Sequence, residues 1–282
     1  MNIQWYPGHM TKAVRMMEEN LKLIDLVIEL KDARIPFSST NPDIDRLAGN
    51  KMRLVILNKS DLANDAANKE WVEYYEKRGV PAVLYNSKIR DGMNSLLGRI
   101  KEVCAAKIER DRRRGIKNRS VKAIIVGIPN VGKSTFINNI AKRNAAVVGN
   151  KPGVTKGKQW IHISNELDLL DTPGILWPKF DNEEIGLNIA FIGSINDEVL
   201  ITEELAMKLI ESLKKCAPGV LAERYGISDE NSDSHVILNE IAINRKCFLK
   251  QEEPDLKKAS NIILDEFRNG KLGRISLERP AE

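Results

Sequence analysis

The run Gly127-Ile-Pro-Asn-Val-Gly132-Lys133-Ser134 is spaced to hold a polyphosphate. Gly127 and Gly132 let the backbone wrap closely around phosphate oxygens, Lys133 reaches the β and γ oxygens, and the Ser134 hydroxyl can ligate Mg²⁺. Asn130, Val131 and Thr135 complete the phosphate-facing loop. Downstream, Asp171-Thr-Pro-Gly174 supplies an acid for the metal's hydration shell, acting through water, and a Gly174 backbone N–H for the γ-phosphate. Between them, Thr155 in Lys151-Pro-Gly-Val-Thr155 offers a second hydroxyl to the metal; the alternative is a plain turn residue.

Upstream, Asn58-Lys59-Ser60-Asp61 carries groups suited to a purine. Guanine has donors at N1 and N2 and an acceptor at O6, so its reader needs a fixed carboxylate and a donor. Asp61 supplies the carboxylate, Asn58 braces the loop, and the stem of Lys59 can cover the base face. Asn86-Ser87-Lys88 supplies backbone N–H groups for O6. Adenine would lose both pairings, so guanine is favoured. The residues after Gly174 are Ile175 and Leu176, which cannot orient an attacking water. Of the three histidines, His9 is the best candidate for that task, its pKa class suiting a water-orienting role near neutral pH. The alternative is a surface residue beside the Pro7-Gly8 turn, while His162 and His235 read as structural.

These groups need strand ends to carry them. Short apolar, largely β-branched runs at 26–30, 54–57, 82–85 and 123–126 predict strands buried on both faces of a mainly parallel sheet. Two more strands fit 159–163 and 167–170, and helical patterns fit 11–23, 66–78, 91–113 and 133–142. This is an α/β layout, with ligands expected at the carboxyl ends of the strands. Beyond about residue 178 only helical patterns remain, at 182–192, 202–216, 235–244 and 255–269, followed by a basic tail from Arg268 to Arg279 that reads as mobile. The expected division is a nucleotide domain over 1–177, with an N-terminal arm of about 20 residues, and a small all-helical domain over 178–282.

The net charge of +5 hides an asymmetry, +11 over residues 1–177 and −6 over 178–282. Its densest stretch, Lys107 to Lys122, has eight basic residues against two acids, which suits either a solvated helix end or an RNA backbone. Three scattered cysteines without a CxxC pair and the lack of an 18-residue apolar run argue for a reduced, cytoplasmic, non-membrane setting.

In an ordinary guanine-nucleotide switch domain the phosphate loop precedes the base reader. Here Asn58-Lys-Ser-Asp61, Asn86-Ser-Lys88, Gly127 to Ser134, Thr155 and Asp171 to Gly174 run in the reverse sense, with Asp32-Ala-Arg34 and Trp5-Tyr-Pro-Gly-His-Met10 ahead of them. In that order the chain resembles the bacterial ribosome biogenesis GTPase A (YlqF) family, circularly permuted GTPases of the translation-factor class. The resemblance implies a circularly permuted Ras-like P-loop domain, binding of GTP or GDP with Mg²⁺, hydrolysis assisted by His9, and a helical domain that touches RNA. It also implies that the chain acts late in maturation of the large (50S) ribosomal subunit, with its rRNA as partner, and is a monomer away from it. Similar GTPases use an asparagine at the position of Asn130 to hold potassium; loop conformation is the alternative. The rival function is a nucleotide-gated protein scaffold that hydrolyses GTP incidentally.

Overall fold

The computed structural model describes residues 15, 18–89, 93–116, 119–141, 159–164, 167–172, 180, 182–196, 200–250 and 252–281. Its centre is β1 (Leu26–Asp32), buried along its whole length because both faces are covered. β2 (Met52–Asn58) and β4 (Val121–Val126) pair with it in parallel on either side. β3 (Ala82–Tyr85) extends the sheet beyond β2, and β6 (Leu167–Asp171) extends it beyond β4, again in parallel. β5 (Gln159–Ser164) closes the far edge antiparallel to β6, giving the order β3-β2-β1-β4-β6-β5.

The alternation of side chains along the strands sorts the core. Val55 and Leu57 face α2 (Asp65–Lys77), where Ala67, Trp71 and Tyr75 cover them. Leu26, Ile28, Leu30, Leu54 and Ile56 point the other way, against Leu96, Ile100 and Cys104 of α3 (Met93–Arg113) and Phe136, Ile137 and Ile140 of α4 (Lys133–Ala141). The same apolar cluster continues without a break through Ile189 and Phe191 of α5 (Glu183–Phe191). From there it reaches the helices α6 (Thr202–Cys216), α8 (Ser234–Asn244) and α9 (Leu256–Arg268). Asparagine or aspartate side chains cap α2, α5, α8 and α9 by accepting from first-turn N–H groups. Buried between the helices, Glu266 takes Arg224 at 2.7 Å and the Tyr225 hydroxyl at 2.8 Å, with Arg245 at 3.4 Å.

Two short helices escaped the sequence reading, α1 (Asp43–Ala48) and α7 (Val220–Tyr225). At six residues each they span less than two full turns, too little for a period to register. The larger correction concerns the tail. The stretch from Arg268 to Arg279, expected as a mobile basic tail, lies against the nucleotide domain with Leu272, Ile275 and Ser276 buried. Ile275 N donates to Leu62 O at 2.9 Å and Leu277 N to Arg34 O at 2.9 Å. Arginines here are spent internally: Arg268 on Ala190 O and Phe191 O, both at 3.0 Å, and Arg279 on Glu70 at 2.9 Å.

Candidate nucleotide site

The parallel register places the ends of β1 and β2 side by side, with Asp32 opposite Asn58 and Asn58 opposite Tyr85. β4 runs into the phosphate loop beside them, and β6 ends at Asp171, paired with Ile125. All of the described candidate residues therefore gather at one carboxyl edge of the sheet, where strand order leaves room for a ligand.

Asn58 ties three of these segments together. Its Oδ1 accepts from Ser87 N at 3.2 Å and Ser87 Oγ at 2.7 Å, while its Nδ2 donates to Val131 O at 2.7 Å. Asn58 thereby links the segment after β3 to the phosphate loop, and the Ser87 N–H, expected to face O6, bonds to Asn58. Lys88 N donates to Asn86 Oδ1 at 2.9 Å. Gly132 has φ +96°, and a Cβ there would lie 2.5 Å from Asn58 Nδ2, so the close approach of reader and phosphate loop requires glycine.

Lys59 adopts a left-handed conformation, φ 57°, which turns its chain back across the site. Its Nζ donates to Asn130 O at 2.8 Å and pairs with Asp32 at 3.0 Å. Asp32 is fully buried and also receives Arg34 bidentately, Nε at 2.9 Å and Nη2 at 2.8 Å. Burial alone would push the Asp32 carboxyl up, but Arg34 and Lys59 beside it outweigh that and hold it well below the usual carboxylate range. For Lys59 the balance goes the other way: burial lowers its pKa despite Asp32. Asp61 stands on the 3₁₀ turn Ser60–Leu62, and among the described residues its carboxylate meets no partner. That leaves it open to a base.

In the phosphate loop, Lys133 folds back on its own backbone, donating to Gly127 O at 2.9 Å and Ile128 O at 2.8 Å. Burial lowers its pKa to about 8, with Asp171 pulling the other way, and burial raises Asp171 to about 6 against the pull of Lys133. Asp171 Oδ1 is buried with no hydrogen-bond partner. An orphaned carboxylate oxygen at this edge fits a hydrated divalent cation, and Ser134, in the first turn of α4, supplies the hydroxyl such a cation needs. Asn130 is left-handed at φ 59° and its amide donates to Gly193 O, while Ser194 Oγ donates to Pro129 O at 2.5 Å. His9, Thr155 and Gly174 lie outside the described residues.

Sequence reading missed how much Asp32 and Arg34 contribute. Arg34 Nη1 donates to Phe267 O at 3.0 Å, so the end of α9 is fastened through Arg34 to Asp32, the residue that holds Lys59. A basic residue two positions after an acid at a strand's carboxyl end was the available signal. Phe267 itself is core, with the Arg34 guanidinium 5.1 Å from its ring centroid. His162 pairs with Asp168 at 2.8 Å on β5, in keeping with a structural role.

Comparison with known proteins agrees with this geometry. The protein family described as "50S ribosome-binding GTPase" matches residues 122–240. A ribosome biogenesis GTPase A of Bacillus cereus is 44% identical over 282 residues, covering all of this chain and 95% of its own length. The protein of that name from Thermotoga maritima is 31% identical over 99% of this chain and 95% of its own length. A mouse protein called mitochondrial ribosome-associated GTPase 1 is 31% identical over 98% of this chain and 90% of its own length. Among solved structures, GDP-bound YlqF superposes with a TM-score of 0.70 at 27% identity, covering 95% of this chain and all of the other. GNP-bound YlqF from T. maritima gives 0.69 at 28% identity, over 96% and 99% of the two chains. The sheet with base reader first and phosphate loop later is a circularly permuted P-loop GTPase fold acting on GTP, and the chain belongs to the ribosome biogenesis GTPase A family.

Proposed function

We propose that this GTPase is a nucleotide-gated assembly factor that acts on the large ribosomal subunit late in its maturation. It contacts rRNA, hydrolyses GTP to GDP and phosphate, and is stimulated by the subunit. The observation that carries the reading is the Asn58 network, which joins the base reader, the Ser87 segment and the phosphate loop through one side chain. The names of the relatives supply the ribosomal setting, since both the bacterial and the mitochondrial proteins are named for ribosomes. The protein works in the cytoplasm, as a monomer away from the subunit, with a nucleotide domain over 1–177 and a helical domain over 178–282.

In this reading Asp61 receives guanine N1 and N2, Lys59 covers the base, and Asn86 and Ser87 close around O6. Lys133 leaves its loop carbonyls for the phosphates, joined by backbone N–H groups from Asn130 to Thr135 and by Gly174. Ser134, Thr155 and Asp171, the last through water, would hold Mg²⁺, which supplies charge neutralisation at the phosphate oxygens. Potassium beside Asn130 would add to that charge. Because Ile175 cannot orient water, His9 does so from the N-terminal arm. Exposed Arg110, Arg112, Arg113 and Arg114 at the end of α3 suit a phosphate backbone, although Arg113 also pairs with Glu109 at 3.0 Å. GTP turnover measured with and without purified large subunits tests the proposal. A clear acceleration that fades with added salt is expected; unchanged turnover would overturn it.

A further inference from the structure

The backbone of the base-reading turn is completed from the far end of the chain. Ser60 O accepts from Arg274 Nη2 at 3.0 Å, Ala63 O from Arg274 Nε at 3.0 Å, and Leu62 O from Ile275 N at 2.9 Å. Asn64 N donates to Ser276 Oγ at 3.1 Å. The same arginine reaches Asp65 with Nη1 at 2.6 Å. Arg274 thus spans the carbonyls on either side of Asp61, one nitrogen to each, with a third nitrogen on the first residue of α2. From within the nucleotide domain, Asn68 donates to Ser60 O at 2.9 Å and Ser60 Oγ donates to Tyr85 O at 3.1 Å.

This segment is itself well anchored. Leu272 and Ile275 are buried, and a Cβ on Gly270 would lie 2.5 Å from Leu62 Cδ2, so the chain rests directly on the turn. Beyond it, Glu278 accepts from Phe37 N at 2.7 Å, Asn188 Nδ2 at 3.0 Å, and Ser38 through both N–H and hydroxyl. A single 3₁₀ turn has poor internal hydrogen bonding and a left-handed residue before it, so its shape depends on partners from outside.

We propose that residues 274–276, Arg274 foremost, position the guanine reader and thereby set guanine affinity and base discrimination. The proposal rests on the reading of Asp61 as the guanine-binding carboxylate. A carboxylate discriminates between bases only if it is held within about half an ångström of its productive place. Arg274 and its neighbours supply that constraint. By linkage the effect is reciprocal: guanine on Asp61 holds this segment down, and whatever lifts the segment loosens guanine.

The test uses the full chain and fluorescently labelled GDP, displaced by unlabelled GDP, IDP or ADP. IDP lacks the N2 donor and so reports the Asp61 contact. Arg274→Ala is expected to weaken GDP about tenfold, through faster dissociation, and to shrink the preference for GDP over IDP. Arg274→Lys, which keeps the charge but not the fork, is expected to fall between, and it serves alone if the alanine variant does not fold. Lys271→Ala, an exposed neighbour, is expected to behave as wild type. If the Arg274 variants lose thermal stability yet keep wild-type GDP affinity and wild-type GDP-over-IDP preference, the segment is merely structural and the proposal is wrong. A wild-type protein that binds ADP as well as GDP would instead overturn the guanine reading itself.

Discussion

Asp32 shows how one buried carboxylate organises the residues around it. It neutralises Arg34 and Lys59 together, and the two cations point in different directions, one to α9 and the other to the phosphate loop. Asp61, by contrast, is left without a partner among the described residues, which suits the base-reading role proposed for it. Asp61→Asn tests its role with a change of only one atom. The amide presents a donor where guanine N2 is also a donor, whereas xanthine carries an acceptor oxygen there. The variant is therefore expected to lose GDP affinity by about a hundredfold, the upper end of what an unmatched polar pair costs, and to bind XDP better than GDP in the same displacement assay. At this scale the sequence was informative wherever chemistry demands a residue type at a fixed local spacing, as in Gly132-Lys133-Ser134. It singled out Asp32-Ala-Arg34 as a motif but gave Arg34 no role, because its partner carbonyl lies 233 positions away.

Among the elements, the six strands and the longer helices were legible because β-branched runs and apolar periodicity are local signals. The C-terminal segment was read as loose because Arg268 to Arg279 is basic and lacks a helical period. Arg274-Ile-Ser-Leu-Glu278 does alternate polar and apolar, the pattern of an extended segment lying on a surface, and that was the overlooked signal. Its last acid offers a pH test. Burial of the Glu278 carboxylate pushes its pKa above the ordinary glutamate value, against the pull of its Ser38, Phe37 and Asn188 donors. A carboxyl raised on folding contributes stability in full below the unfolded value, near 4.3, and loses it as pH rises through the folded value. Each unit of elevation corresponds to about 1.4 kcal/mol. Urea unfolding between pH 4 and 7.5 is expected to show wild-type stability falling more steeply with pH than that of Glu278→Gln. Parallel profiles would mean that the carboxyl is not raised.

Taken whole, the two parts proposed to meet near residue 178 share one core. One apolar cluster runs from Leu26 on the central strand to Phe267 on α9, and polar ties at Asn130–Gly193, Ser194–Pro129 and Arg34–Phe267 bridge the same seam. The two parts are expected to unfold together, giving one calorimetric transition whose van't Hoff and calorimetric enthalpies agree. GDP at a hundred times its Kd should move that transition as a unit, adding about 2.7 kcal/mol. Two resolved transitions, of which GDP shifts only one, would contradict the shared core. The same seam also bears on synthesis. Asn64 leaves the ribosome early and Ser276, which receives its N–H, follows 212 positions later. At 5–20 residues per second that is a wait of roughly 10 to 40 s. Through that interval the base-reading turn exists without the segment that steadies it, so a nascent chain holds guanine nucleotide weakly. On the proposal above, tight nucleotide binding waits for residues 274–276, and a chain that stops short of them is expected to hold GDP about tenfold more weakly.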